Sequence, residues 1–186
     1  MISLVSQLFQ QTPLGVLQIV SDGGAITGVR FISEITGEEG RISKEQYKFD
    51  ANGLNKSGVK NSNTLIQLAI DQLDRYLFQG EQQFSLPLKV EGTPFQKRVW
   101  GALQQIPYGQ TMTYGKLAEQ LNSSARAVGN ACRRNPVPVI VPCHRVVARN
   151  GIGGYSGATS GYLINRKQFL LDLEHAQSPQ SQLSLC

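Results

Sequence analysis

The tetrapeptide Thr93-Pro94-Phe95-Gln96 constrains this chain more than any other stretch. Thr at an N-cap, Pro at the first helical position and Gln at the third combine a capping box with a preset φ, so a helix is expected from Pro94 to about Gln105. Glu91-Gly92 before it reads as a linker. The chain therefore divides into residues 1–91, residues 92–176 and a tail, 177–186, whose sequence QSPQSQLSLC is expected to be disordered. With 186 residues, 40% hydrophobic and 17% charged, it is long enough to bury a core and is neither a disordered nor a collagen-like chain.

The two parts differ in charge. Residues 1–91 hold 8 Lys/Arg and 10 Asp/Glu, net −2, whereas residues 92–176 hold 10 and 3, net +7. A basic half beside a slightly acidic one suggests a polyanion partner, nucleic acid being the commonest, against the alternative of a merely solvated basic face. Three cysteines, Cys132, Cys143 and Cys186, form no CxxC pair and an odd count, which fits a reducing compartment. No Cys or His precedes Cys132, so the first half lacks the ligands zinc prefers and no metal is expected. No run approaches the roughly 18 apolar residues of a membrane span, and the start does not read as a signal peptide, so the expected location is intracellular.

Residues 4–9, 16–20 and 26–32 read as strands of an antiparallel meander, with Asp22-Gly23-Gly24 as a hairpin turn. Residues 34–63 turn polar and read as a long surface excursion. Leu65, Leu68, Ala69, Leu73, Tyr76 and Leu77 then recur at helical spacing before Gly80, and residues 83–88 read as another strand. In the second part Thr113 caps a short helix, Asn122-Ser123-Ser124 turns the chain into a second one ending near Arg134, and the pair resembles a helix-turn-helix. Residues 137–141 are an apolar, proline-flanked run too β-branched for a helix, and residues 144–148 continue extended. Arg149-Asn150-Gly151 is a turn. A last helix, residues 165–174, is expected to present Phe169, Leu170 and Leu173 inward.

The sharpest chemical feature is Pro142-Cys143-His144-Arg145-Val146. A thiolate is a strong nucleophile, and a nearby His or Arg stabilises it. Consecutive side chains of an extended stretch point to opposite sides, so Cys143 and His144 would communicate through a turn or a water. The bland alternative is a buried structural cysteine. Glu174 ends the last helix, a poor place for an anion because the helix C-terminus is already negative, so something basic should hold it. Either it orients His144 in a Cys-His-Glu relay or it pairs with an arginine. The relay predicts a thiol pKa below the ordinary ~8.5 and a Glu174→Gln chain that loses reactivity at nearly constant melting temperature; the structural alternative predicts the reverse. Ala125 and Gly129 share one helical face, small enough for close approach to a groove or to core, while Arg126 beside them needs an anion, water or a stacking surface. Tyr114 can stack, donate a hydrogen bond or fill core.

Together, Gly92-Thr93-Pro94-Phe95-Gln96, Ala125-Arg126-Ala127-Val128-Gly129, Asn135-Pro136, Pro142-Cys143-His144-Arg145-Val146-Val147 and Gly154-Tyr155-Ser156-Gly157 resemble the O6-alkylguanine-DNA alkyltransferases over residues 92–174. The first half matches that family in outline only. The resemblance implies an α+β protein: a small N-terminal sheet-plus-helix, ribonuclease-H-like domain, then a helical, winged-helix-like domain for DNA binding and catalysis.

It further implies irreversible, single-turnover transfer of an alkyl group from O6-alkylguanine in DNA to Cys143, with O4-alkylthymine as a further candidate substrate and no cofactor. Members of this family flip the damaged base out of the stack from the minor groove. By motif position His144 activates Cys143 through a bridging water, Glu174 holds the imidazole, Tyr114 gives a proton to the leaving guanine and Asn135 braces the site. Arg126 fills the gap left by the flipped base, with Ser124, Ala125, Ala127, Gly129 and Arg133 also at the DNA. Val146, Tyr155, Ser156 and Pro138 line the guanine pocket. The implied partner is double-stranded DNA, with no membrane, acted on by a monomer in the cytoplasm, or in the nucleus of a eukaryote. The loop of residues 148–153 is a residue shorter than the family pattern, and the structural zinc site some relatives carry in the first domain is impossible here. Two rivals remain: a damage-sensing module, disfavoured because such proteins replace the cysteine, and a Cys-His-Glu hydrolase, which should turn over repeatedly.

Overall fold

The computed structural model describes residues 6–32, 54–55 and 64–177, and the chain falls into two compact units that divide between Val90 and Glu91. In the first, β1 (Ser6–Thr12), β2 (Gly15–Ser21), β3 (Ile26–Ile32) and β4 (Leu54–Asn55) pair antiparallel in the order β3-β2-β1-β4. Alternation along β2 buries Leu17, Ile19 and Ser21, as a half-buried strand requires. Helix α1 (Thr64–Gln79) packs on β1 and β2, burying Ile66, Ala69, Ile70, Leu73, Tyr76 and Leu77, and stops at Gly80.

The strand expected over residues 83–88 does not form. Only Leu88 bridges to Ile26. Pro87 has no N–H for a ladder, and the buried Gln72 amide instead takes both backbone groups of Ser85, at 2.8 and 3.2 Å, tying this stretch to α1. Of the polar excursion over residues 34–63 only Leu54–Asn55 is described, and it pairs with β1. The remainder, the start of the first expected strand and tail residues 178–186 with Cys186 lie outside the described residues.

In the second unit the capping box closes as read: Gln96 N–H donates to Thr93 Oγ1 and Thr93 N–H to Gln96 Oε1. Helix α2 (Pro94–Gln104) buries Val99, Trp100 and Leu103. β5 (Met112–Thr113) leads into α3 (Tyr114–Gln120), capped by Thr113, and the turn of residues 121–124 leads into α4 (Ala125–Arg133), capped by Ser124. Trp100 Nε1 donates 2.9 Å to the buried Ala131 carbonyl, which fixes α4 against α2. β6 (Val146–Val147) pairs parallel with β5. That pairing sets the start of α3, and so Tyr114, beside the chain that has just left Cys143.

Residues 137–141 are not a strand. Val139 sits at φ 76°, a conformation a β-branched residue rarely adopts, and Val141 N–H donates back to Val137 O at 2.9 Å. Asn135 clamps the bend from both ends, accepting from Val137 N–H at 3.1 Å and donating to Val141 O at 2.7 Å. An inverse γ-turn at Pro142 then delivers Cys143–Arg145 as a 3₁₀ turn rather than an extended stretch. Finally α5 (Tyr162–Ala176) begins three residues before the expected start, and its buried face is Arg166, Lys167, Leu170 and Glu174. Of the three residues expected to face inward only Leu170 is buried; Phe169 is exposed and Leu173 intermediate. No helix among the described residues is long and apolar enough to cross a membrane.

Candidate active site

The 3₁₀ turn places Cys143, His144 and Arg145 in the interior together, at 5%, 0% and 6% exposure. Glu174 meets two of them. Its Oε1 lies 2.8 Å from His144 Nε2, while Arg145 donates from Nε to Oε2 (2.8 Å) and from Nη2 to Oε1 (2.9 Å), and Gly109 N–H donates to Oε2 (3.1 Å). Arg145 Nη1 reaches the Ile106 carbonyl at 2.7 Å. An anion at the C-terminal end of α5 is thus held by a bidentate guanidinium. The two alternatives for Glu174, imidazole or arginine, are realised by one carboxylate.

Burial alone would raise the Glu174 pKa, but the bonds and charges of His144 and Arg145 outweigh it and hold the carboxyl at about 2. Burial pushes the His144 imidazole down against the opposing pull of Glu174, leaving a neutral ring able to act as a base. The thiol runs against expectation. Burial pushes Cys143 up, opposed in turn by the Asn135 side chain and the Lys167 charge, so the resting group is a thiol rather than a preformed thiolate. The lowered pKa expected from the Cys-His pair therefore yields to desolvation.

Cys143 lines a cavity of about 370 Å³, within the size range of small-molecule sites. Tyr114, Ala125, Gly129, Cys132, Arg133, Tyr155 and Ser156 are among its walls. Tyr155 is 3% exposed and its hydroxyl meets no hydrogen-bond partner among the described residues, whereas the Tyr114 hydroxyl donates to Gly154 O at 3.0 Å. At the rim Gly157 adopts φ 91°, and a Cβ there would come within 2.5 Å of Arg133 Nε, so the guanidinium lies directly on the glycine. Gly153, at φ 71°, leaves 3.1 Å between an added Cβ and the Tyr114 ring, a closeness only glycine permits.

The remaining expected residues are placed as follows. Asn135, His144, Glu174, Val146 and Pro138 do not line the cavity; the first three act around it through the bonds above, Val146 and Pro138 are buried, and the Val146 carbonyl is taken by Lys167. Arg126 is exposed on the first turn of α4, outside the cavity lining; Ser124 is its exposed cap and Ala127 is half-buried. Sequence reasoning missed Lys167 and Arg145 as parts of the site. A lysine inside a pattern of apolar residues on the last helix was the available signal. Among the described residues no group of three His, Cys, Asp or Glu side chains is placed to hold a metal ion.

Comparison with known proteins identifies the family. Residues 94–176 match the DNA binding domain, and residues 6–90 the ribonuclease-like domain, of 6-O-methylguanine DNA methyltransferase. The methylated-DNA--protein-cysteine methyltransferase of Mycobacterium bovis is 40% identical over 172 residues, covering 90% of this chain and 91% of that protein. The constitutive Bacillus subtilis enzyme of the same name is 38% identical over 168 residues, covering 88% and 92%. The crystal structure of Mycobacterium tuberculosis O6-methylguanine methyltransferase superposes with a TM-score of 0.72 at 32% identity, over 98% of this chain and 100% of that one. The same organism's OGT in complex with DNA gives 0.69 at 33%, over 96% and 98%. The chain belongs to the 6-O-methylguanine DNA methyltransferase family.

Proposed function

We propose that this chain repairs DNA by moving the alkyl group of O6-alkylguanine onto Cys143, once per molecule. The observation that carries the reading is a buried thiol in the wall of a base-sized cavity, adjacent in the 3₁₀ turn to a neutral imidazole fixed by Glu174. Because Nε2 of His144 is engaged by Glu174, proton removal from Cys143 passes through Nδ1, by way of a water. The sulfur attacks the alkyl carbon, the carbon–oxygen bond breaks, and the departing guanine takes a proton from Tyr114. The imidazolium of His144 releases its proton to solvent and Tyr114 regains one from it, so that overall the thiol loses one proton and the guanine gains one. The resulting thioether has no ready leaving group, so the cycle ends there.

Residues 92–176 are the catalytic unit in this reading, and residues 1–91 its companion. α3 and α4 serve as the helix-turn-helix of a winged-helix-like fold. Their small residues Ala125, Ala127 and Gly129, with Ser124 and Arg133, approach the minor groove while Arg126 enters the stack. Tyr155 and Ser156 flank the flipped base. Val146 and Pro138 support the pocket from behind, and Asn135 braces the bend that carries Cys143. The protein acts as a monomer in the cytoplasm, and O4-alkylthymine is a second substrate the same displacement chemistry admits.

The test uses duplex DNA carrying isotopically labelled O6-methylguanine. Label is expected on Cys143 alone, saturating at about one group per protein, with Cys143→Ala inactive yet still binding DNA. Sustained turnover, or label on Cys132 or Cys186, overturns the reading.

A further inference from the structure

The Glu174 carboxylate has a neighbour besides His144 and Arg145. Residues 107–110 form a tight turn in which Gln110 N–H donates to Pro107 O at 3.1 Å, and Gly109 takes φ 73°, as the third position of a type II turn requires. The turn brings Gly109 N–H within 3.1 Å of Glu174 Oε2. A carboxylate offers about four acceptor sites. Four donors meet them here: His144 Nε2 and Arg145 Nη2 at Oε1, Arg145 Nε and Gly109 N–H at Oε2.

Tyr108, the second residue of the turn, lies over this cluster. Its ring centroid is 5.6 Å from the Arg145 guanidinium carbon, and its hydroxyl donates to Gln177 Oε1 at 2.6 Å, where α5 ends. Tyr108 is half-buried, whereas Glu174, Arg145 and His144 lie in the interior. The phenol and its turn are thus the boundary between the cluster and solvent on this side.

We propose that Tyr108 is a positioning residue for alkyl transfer: its ring roofs the Arg145–Glu174 pair, and its hydroxyl, tied to Gln177, holds the turn that aims Gly109 N–H at the carboxylate, so that the pair stays dry and the His144 imidazole stays fixed. This inference rests on the reading of Cys143 as acceptor and His144 as its base. The side chain suits the task. An aromatic face accepts a guanidinium, and a phenol adds a polar tip at the far end of the ring that can reach α5. Phenylalanine keeps the first property and loses the second, and alanine loses both.

Excluding water matters because burial is what lowers His144, against the pull of Glu174. The charged groups acting on the imidazole are Glu174 and Lys167 from α5 and Arg145 from the 3₁₀ turn. Helix α2, which also packs on that turn, buries Val99, Trp100 and Leu103, none of which titrates. Tyr108 itself stays a neutral phenol, pushed up to about 12 by burial and the Glu174 charge. Opening the roof therefore admits water, relieves the burial and leaves Glu174 to raise the imidazole.

The experiment measures single-turnover transfer from free O6-benzylguanine by the full chain between pH 5 and 9, in wild type, Tyr108→Phe and Tyr108→Ala. The rate follows the neutral fraction of His144, so it rises with pH along an acid limb that in the wild type lies below 6.5. In Tyr108→Ala this limb is expected to move up by about one pH unit, with rates on its rising part about tenfold lower. Tyr108→Phe, which keeps the roof, should restore the wild-type limb. An unmoved limb in Tyr108→Ala, whatever the loss of stability, assigns Tyr108 to packing and overturns the proposal, as does a Tyr108→Phe limb that matches the alanine variant. Absence of transfer to Cys143 in the wild-type chain overturns instead the reading beneath it. Should Tyr108→Ala not fold, native-state hydrogen exchange of the wild type serves. Gly109 N–H is expected to exchange as slowly as the amide of Leu170 in the core of α5, and exchange through local opening of the turn sinks the roof.

Discussion

Glu174 Oε1 and His144 Nε2 lie 2.8 Å apart with side chains only 1% and 0% exposed, and Arg145 grips the same carboxylate through Nε and Nη2. One acid therefore does two jobs. It holds the imidazole of the residue that follows Cys143, and it neutralises a guanidinium that is itself buried. In the proposed reaction the group that orients His144 is therefore the same group that holds Arg145 and the turn.

Glu174→Gln therefore cannot lose reactivity at constant stability, the outcome a pure relay predicts. Removing one partner of a buried pair leaves Arg145 uncompensated, at a cost of about 3–5 kcal/mol. We expect both a large drop in melting temperature and a slower reaction with O6-benzylguanine. Calorimetry beside single-turnover kinetics checks it. A variant that melts like the wild type would show that Arg145 finds another anion.

Acid should dissect the same cluster. Glu174 is held at about 2 against an ordinary 4.5, so its contribution is present above pH 4.5 and disappears as pH falls toward 2, a loss on the order of 3 kcal/mol. His144, lowered below 6.5 by burial, adds in the same direction, because the unfolded chain takes up its proton first. Denaturant unfolding followed from pH 7 to pH 3 should show a steep loss in the wild type and a shallower one in Glu174→Gln. Parallel curves would remove Glu174 as the source.

Much of this was readable from residues alone because the deciding signals are local. The capping box at Thr93, the caps at Thr113 and Ser124 and the spacing along α1 act within a turn of chain, and each element formed within a residue or so of its expected ends. The failures arose where the hydrophobic pattern carries no signal. Phe169 looked like core because it is apolar, yet the wall facing α5 presents the carbonyls of Val146, Ile152 and Gly154, and those call for a cation. Residues 137–141 looked like a strand because they are β-branched, yet Asn135 satisfies both ends of a bend there. Cys143 looked like a low-pKa thiol beside His144, and the depth of burial reversed the sign. In each case something invisible in periodicity decided the outcome: carbonyls from another segment, the Asn135 side chain, or the depth of burial.

Duplex binding should be strongly salt-dependent, because residues 92–176 carry net +7. Each phosphate neutralised adds about 0.9 to the slope of log Kd against log salt. Arg133 is exposed and rests on Gly157 at the cavity rim, so Arg133→Ala is expected to lower that slope by about 1 without changing sequence preference. Fluorescence anisotropy between 50 and 300 mM salt tests it. An unchanged slope would assign Arg133 to the rim alone.

Arg126 offers the cleanest separation of DNA handling from chemistry. It is exposed on the first turn of α4, outside the cavity wall, next to Ala125, which is part of that wall. A side chain so placed lies outside the cavity wall, and in the proposed reading it occupies the space that the flipped base vacates. Extrusion from a duplex costs a few kcal/mol in lost stacking and pairing, and a guanidinium filling the gap recovers part of it. If that recovery is about 2 kcal/mol, Arg126→Ala slows repair in duplex DNA about 30-fold. Free O6-benzylguanine has no stack to leave, so its reaction should change by less than about twofold. An oligonucleotide with an abasic site or mismatch opposite the lesion should fall between, because its base is already loosened. Equal losses on all three substrates would place Arg126 in folding or in the pocket, and full activity on the matched duplex would leave it only a contact with the backbone.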